Sequence, residues 1–210
     1  MNYTAKYVDE NGKEKKVSIT DEDSEEAMKN DYEEIQRKYN PKYVCIRRVQ
    51  AKPGEKMHLK VTVNAPTHYL TASNDISPKN CKSMTVDIIC FAGYPMVRVS
   101  ASYAPDYYLA SPNVFRSGAA CIDNWIPFTS SLITVVDKLV HDMIHDSTVN
   151  LYNSVANDSV VEWHKKNVEA GAFPTIDPKL LYAPEVIPLP HRRTETESVP
   201  KHPRLPERSH

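Results

Sequence analysis

A cysteine closes the stretch Ser111-Pro112-Asn113-Val114-Phe115-Arg116-Ser117-Gly118-Ala119-Ala120-Cys121, and Trp125-Ile126-Pro127 follows it. The Pro-Asn step opens a turn, and Gly118 admits backbone angles closed to other residues, so the chain is re-aimed shortly before the thiol. A cysteine carried on such a loop is exposed. Its thiolate is a strong nucleophile. Cys121 is therefore the candidate nucleophile. Cys45 and Cys90 sit inside strand-like apolar patterns, where a small buried thiol is the usual finding, and Cys81 lies in a connection. No CxxC spacing joins the four cysteines, which points to reduced thiols with neither a disulfide framework nor a thiolate zinc site.

Two other chemistries compete for these residues. A cysteine hydrolase needs a histidine base within hydrogen-bond reach of the thiol. The expected topology places none of His58, His68, His141, His145, His164 or the three tail histidines beside Cys121. Asp137, His141 and His145 fall at i, i+4 and i+8, opposite the Leu132/Leu139/Met143 stripe, so one exposed row would suit a metal ion. No fourth ligand is identifiable for it, and the plainer reading is a solvated helix face; no metal or other cofactor is assigned.

The elements that must position the loop follow from periodicity. Residues 1–19 alternate around Asn11-Gly12 and read as a small hairpin. Thr20 and Asp21 are cap-type residues, acids fill the first turns, and Met28, Tyr32, Ile35 and Tyr39 repeat as an amphipathic helix that Asn40-Pro41 ends. The period then becomes two. Strands are expected over 42–50, 56–64, 83–91 and 97–103, with a long connection over 65–82 and a turn at Gly93-Tyr94-Pro95. After the cysteine loop, Leu132, Val135, Val136, Leu139, Val140, Met143 and Ile144 define a helix with one buried face. A further helical piece spans 155–169. Strands in succession without intervening helices favour an α+β class with a four-stranded antiparallel meander rather than a doubly wound sheet. The domain limits are a hairpin extension at 1–19, a catalytic domain at 20–182 and a Pro-rich extended or disordered tail at 183–210, whose Pro200-x-x-Pro203-x-x-Pro206 reads as a spacer.

Composition excludes some partners. With 26 basic against 27 acidic residues and a net charge of -1, the chain has no broad electrostatic footprint for nucleic acid or anionic lipid. No stretch approaches the roughly 18 consecutive apolar residues of a membrane helix, and the N-terminus lacks an apolar h-region, so a cytoplasmic location is expected.

The order helix, four-stranded meander, Tyr94-Pro95, Pro112-Asn113-Val114-Phe115, Gly118, Cys121-Ile122-Asp123, Trp125-Ile126-Pro127 and long helix resembles the ubiquitin-conjugating enzyme (E2) family over roughly residues 20–170. The resemblance implies a UBC-like fold with C-terminal helices and an extra N-terminal hairpin. It implies an enzyme in which Cys121 accepts a ubiquitin-like protein as a thioester from an E1-like activating enzyme and passes it to a lysine of a protein target. It also implies that Asn113 donates to the oxyanion of that transfer, against the alternative that Asn113 only caps its own turn. Trp125 and Pro127 read as packing that anchors the loop, with Ile126, Pro127 and Phe128 as an alternative partner contact; Asp123 reads as a solvated acid. The sequence departs from the family at Ser111, where the family has histidine, in the short spacing from Cys121 to Trp125, and in the missing prolines after Pro95. No acid before the third helix matches the family's lysine-orienting position in Asp146 to Asn153. These departures are similar to the divergent proteins of bacterial ubiquitin-like conjugation operons, such as the antiphage Bil systems. The rival within the same fold is a noncatalytic module that binds a ubiquitin-like protein without transferring it.

Overall fold

The computed structural model describes residues 2–8, 13–95, 97, 99–122, 131–149 and 155–184. The Asn11-Gly12 turn, Asp123, Trp125-Ile126-Pro127, Phe128, the stretch 150–153 and the Pro-rich tail from 185 lie outside the described residues. Within them the class is mixed α+β with antiparallel sheets.

Strands β1 (Asn2–Val8) and β2 (Glu14–Thr20) pair antiparallel as the expected hairpin. Thr20 then caps α1 (Asp21–Lys38): its hydroxyl accepts from the Asp23 N–H, and the Asp23 carboxylate accepts from the Thr20 N–H, a reciprocal capping box. Met28 and Ile35 of α1 are buried. Strands β3 (Val44–Val49) and β4 (Met57–Val63) follow, and β4 shows why alternation was readable: Met57, Leu59, Val61 and Val63 are all buried.

The next segment differs from the sequence expectation. Residues 65–82 are not an irregular connection but a second hairpin, β5 (Thr67–Thr71) and β6 (Asn74–Cys81). Then come β7 (Met84–Cys90), β8 (Ser100–Ser102) and β9 (Tyr108–Leu109). The four expected strands do form one antiparallel sheet in the order β3-β4-β7-β8, while β6-β5-β9 form a separate three-stranded sheet. The last expected strand, 97–103, shortens to Ser100–Ser102. Pro78 is tolerated because it falls on edge strand β6 at the register shift, with no register partner on β5.

Helix α2 (Leu132–Met143) lays its whole apolar stripe into the core formed by α1 and the main sheet. Each fully buried Leu or Val on that stripe contributes roughly 1.5–3 kcal/mol. Its first turn is tied down by another helix: the Leu132 N–H donates to Asp31 of α1 at 2.9 Å and to the Tyr94 hydroxyl, which itself donates to Asp31. The sequence stripe therefore becomes a fixed axis. The predicted 155–169 helix begins as a 3-10 turn, Asp158–Val160, and continues as α3 (Val161–Glu169). The chain ends its described course with Tyr182 bridging to Tyr39, held by Asn40 N–H to Leu181 O at 2.8 Å and Ala183 N–H to Lys38 O at 2.9 Å. None of the described helices is long and apolar enough to cross a membrane.

Gly118 shows how tightly the cysteine loop is packed. Its φ is +86°, and a methyl group built on it would stand 2.6 Å from the Tyr103 carbonyl oxygen. Gly54 has a similar φ of +92° with nothing within 4 Å. Gly54→Ala should therefore cost about 1–2 kcal/mol, the left-handed penalty alone, while Gly118→Ala should cost clearly more because backbone must move. Urea unfolding midpoints of the two variants decide this, and equal losses would contradict the tight packing.

Candidate functional site

The cysteine loop is built from three backbone closures. Residues 111–114 form a turn, with the Val114 N–H donating to the Ser111 carbonyl at 3.2 Å and the Asn113 N–H to the Ser111 hydroxyl at 3.0 Å. The chain then doubles back: Phe115 N–H donates to Ala119 O at 2.9 Å and Gly118 N–H to Phe115 O at 2.8 Å. Finally the loop is sewn to the segment around β8 by Tyr103 N–H to Gly118 O at 2.8 Å and Ala120 N–H to Ala101 O at 2.9 Å. Cys121 follows at once, its N–H donating to the Asn113 carbonyl at 2.7 Å. The two site residues named from sequence are thus brought together through their backbones.

Their side chains face different surroundings. Cys121 is half-buried and in no disulfide, and earlier on the loop Phe115 is 43% exposed. Cys90 is fully buried, and burial, with the nearby Asp31 charge, pushes its thiol up to about 12. Burial also raises the Cys81 thiol. Cys45 is half-buried rather than sealed in its strand, a correction to the sequence reading. Asn113 is only 2% exposed and turns inward: its Nδ2 donates to Asp142 Oδ1 at 3.3 Å and to the Val149 carbonyl at 3.4 Å. Within the turn, the Ser111 hydroxyl accepts the Asn113 N–H.

Ser111 and Asp142 were not among the candidates. Ser111 is fully buried and donates through Oγ to Asp142 Oδ1 at 2.7 Å. Asp142 is fully buried on α2; burial pushes its carboxyl up to about 7, and the bonds from Ser111 and Asn113 offset part of that rise. A signal for it existed in the sequence, because Val135, Leu139 and Asp142 stand at i, i+4 and i+7, which places an acid on the buried stripe.

The suggested exposed row Asp137, His141, His145 does not exist. Helix α2 ends at Met143, and His145 turns out of it with φ 60° and is fully buried. Asp137 and His141 instead hold the last described segment: Asp137 Oδ1 accepts from the Tyr39 and Tyr182 hydroxyls at 2.9 Å each, and His141 lies 2.7 Å from Asp146 and 2.6 Å from the Tyr182 hydroxyl. Asp146, left without a role from sequence, is therefore a partner of His141. Among the described residues no group of three or more His, Cys, Asp or Glu is arranged to hold a metal ion.

His145 belongs to an aromatic cluster instead. Its Nε2 lies 3.2 Å from His68 Nδ1 and 3.3 Å from Thr67 Oγ1, its ring stacks on Phe173 at 4.2 Å, and His164 and Trp163 of α3 meet it edge-on. The cluster joins β5, the end of α2 and α3. Further along the same segment, Ala156 N–H donates to Pro112 O at 2.7 Å, so this region also backs the cysteine loop.

No family model matches the chain, and no curated protein matches it.

Burial lowers the His145 pKa well below its ordinary value, and it lowers His164 to about 4, with the His68 charge acting in the same direction. A depressed folded-state pKa means stability that is fully present above the ordinary value near 6.5 and lost as pH falls toward 4. His164→Phe, which keeps a ring against Phe173, should lose less stability than the parent across that window, at up to roughly 1.4 kcal/mol per pH unit. Thermal unfolding at several pH values checks it; parallel curves would refute the assignment.

Proposed function

We propose that the chain is a conjugating enzyme with a UBC-like fold that accepts a ubiquitin-like protein on Cys121 and passes it to a lysine of a protein target in the cytoplasm. The observation that carries this reading is the placement of Cys121. A half-buried thiol ends a loop whose backbone is bonded on both sides, beside a Pro-Asn turn seated on the long helix that follows. That arrangement, with the helix, the antiparallel sheet and the loop in this order, supports the resemblance drawn from Pro112-Asn113, Gly118 and Cys121.

The chemistry asks little else of the protein. The Cys121 thiolate attacks the thioester carbonyl on an E1-like activating enzyme, its own C–S bond forms, and the activating enzyme's thiolate leaves. A lysine amine then attacks the new thioester, the C–N bond forms, the C–S bond breaks, and Cys121 departs as a thiolate while the nitrogen gives a proton to solvent. Operons for bacterial ubiquitin-like conjugation supply such partners. They are the proposed setting.

One observation favours the second reading, a noncatalytic module that binds a ubiquitin-like protein. Both amide hydrogens of Asn113 are engaged inside the fold, so in this conformation the side chain offers none to an oxyanion. The two readings separate in one experiment. With the cognate activating enzyme, ATP and the ubiquitin-like protein, a reductant-sensitive adduct should form and vanish in Cys121→Ala; binding without an adduct would leave the module. Asn113→Ala should still load but discharge to lysine about 10²–10³-fold more slowly, the range for losing one oxyanion donor.

A further inference from the structure

The inward grip on Asn113 includes one charged group among the described residues, Asp142. Asp142 Oδ1 receives both the Ser111 hydroxyl and one Asn113 N–H, and its Oδ2 has no hydrogen-bond partner among the described residues. The second Asn113 hydrogen goes to the Val149 carbonyl at 3.4 Å. A bond to a carboxylate is roughly twice as strong as one to a neutral acceptor, so of the two long contacts the one to Val149 is the easier to exchange. Cys121 hangs from the same residue through its N–H bond to the Asn113 carbonyl.

We propose that Asp142 is the positioning residue of the transfer step: it keeps one Asn113 N–H on its Oδ1 as a pivot while the other hydrogen swings from the Val149 carbonyl to the oxygen of the acyl group on Cys121. This deepens the conjugating reading and rests on it. When the amine attacks the thioester carbon, the carbonyl electrons move onto oxygen, which takes up the freed N–H. Collapse breaks the C–S bond, Cys121 leaves as a thiolate, the nitrogen gives its proton to solvent, and Asn113 returns to Val149. Asp142 exchanges no proton in the cycle. Its negative charge is what holds and polarises the amide.

The grip therefore depends on whether that carboxyl is ionised. Burial sets its midpoint near neutrality, at about 7. Among the described residues the groups facing it are Ser111 and Asn113 from the loop and Tyr103 from the chain after β8; burial, with this charge beside it, holds the Tyr103 phenol well above its ordinary value, and it stays neutral. The midpoint therefore belongs to Asp142.

The full chain labelled with nitrogen-15 tests this, with the Asn113 side-chain amide followed from about pH 5 to pH 9 and lysine discharge of the Cys121 thioester measured over the same range. The amide signal should titrate near pH 7 in the parent and stay flat in Asp142→Asn. The parent-to-variant discharge ratio, in which the lysine's own ionisation cancels, should rise about tenfold through that midpoint, with the loss falling on discharge rather than on loading. Ser111→Ala removes one donor to the carboxylate and should move both midpoints upward, which keeps the test open if Asp142→Asn folds poorly. A thioester that forms with a flat ratio, a silent amide, or an unmoved midpoint in Ser111→Ala overturns the pivot alone. Failure to form any thioester overturns the conjugating reading and the pivot with it.

Discussion

The hydrogen bond from the Ser111 hydroxyl to the buried Asp142 carboxyl is the constraint on which the site's geometry depends. A carboxyl group placed on the apolar stripe of a core helix loses its hydration, and only donors brought to it by the fold compensate. Ser111 and Asn113 are those donors. Because both come from one turn, the price of burying the acid is met only when the turn sits in one place on α2. Position is enforced by chemistry rather than by shape.

That constraint is useful because α2 is itself fixed. Its first N–H, that of Leu132, ends on both Asp31 and Tyr94, and its apolar stripe fills the space against α1 and β4. From behind, the segment leading into α3 donates Ala156 N–H to the Pro112 carbonyl. From the side, Gly118 passes the Tyr103 carbonyl too closely for any Cβ. The cysteine loop is held by a helix, a sheet edge and the C-terminal segment together, which places a nucleophile on a rigid mount while its thiol stays half-buried rather than sealed.

The parts legible in the sequence were those with one-sided burial. Strand β4 alternates because one face meets the core, and α2 shows its stripe because every stripe position but Asp142 is apolar. The hairpin of β5 and β6 was missed because its inward residues are few: within Thr67–Thr71 only Thr67 and Leu70 are buried, and Pro78 and the Asn residues of β6 read as turn formers. His145 was assigned to an exposed row because nothing local announces that the helix stops two residues earlier and the chain takes a positive φ. For the site, the loop and Cys121 were visible as turn chemistry and spacing. The direction of the Asn113 amide was not, because it is decided by Asp142 and Val149, residues 29 and 36 positions away in the chain.

All of this makes the thiol at position 121 one that the folded protein presents, in contrast to Cys90, which it hides. The most direct check is the rate of alkylation of each cysteine in the native protein, read by peptide mass mapping under conditions that keep the chain folded. Cys121 should react many-fold faster than Cys90, whose modification should wait for global unfolding. A Cys121 that reacts only as slowly as Cys90, at the pace of unfolding, would contradict the account at its base.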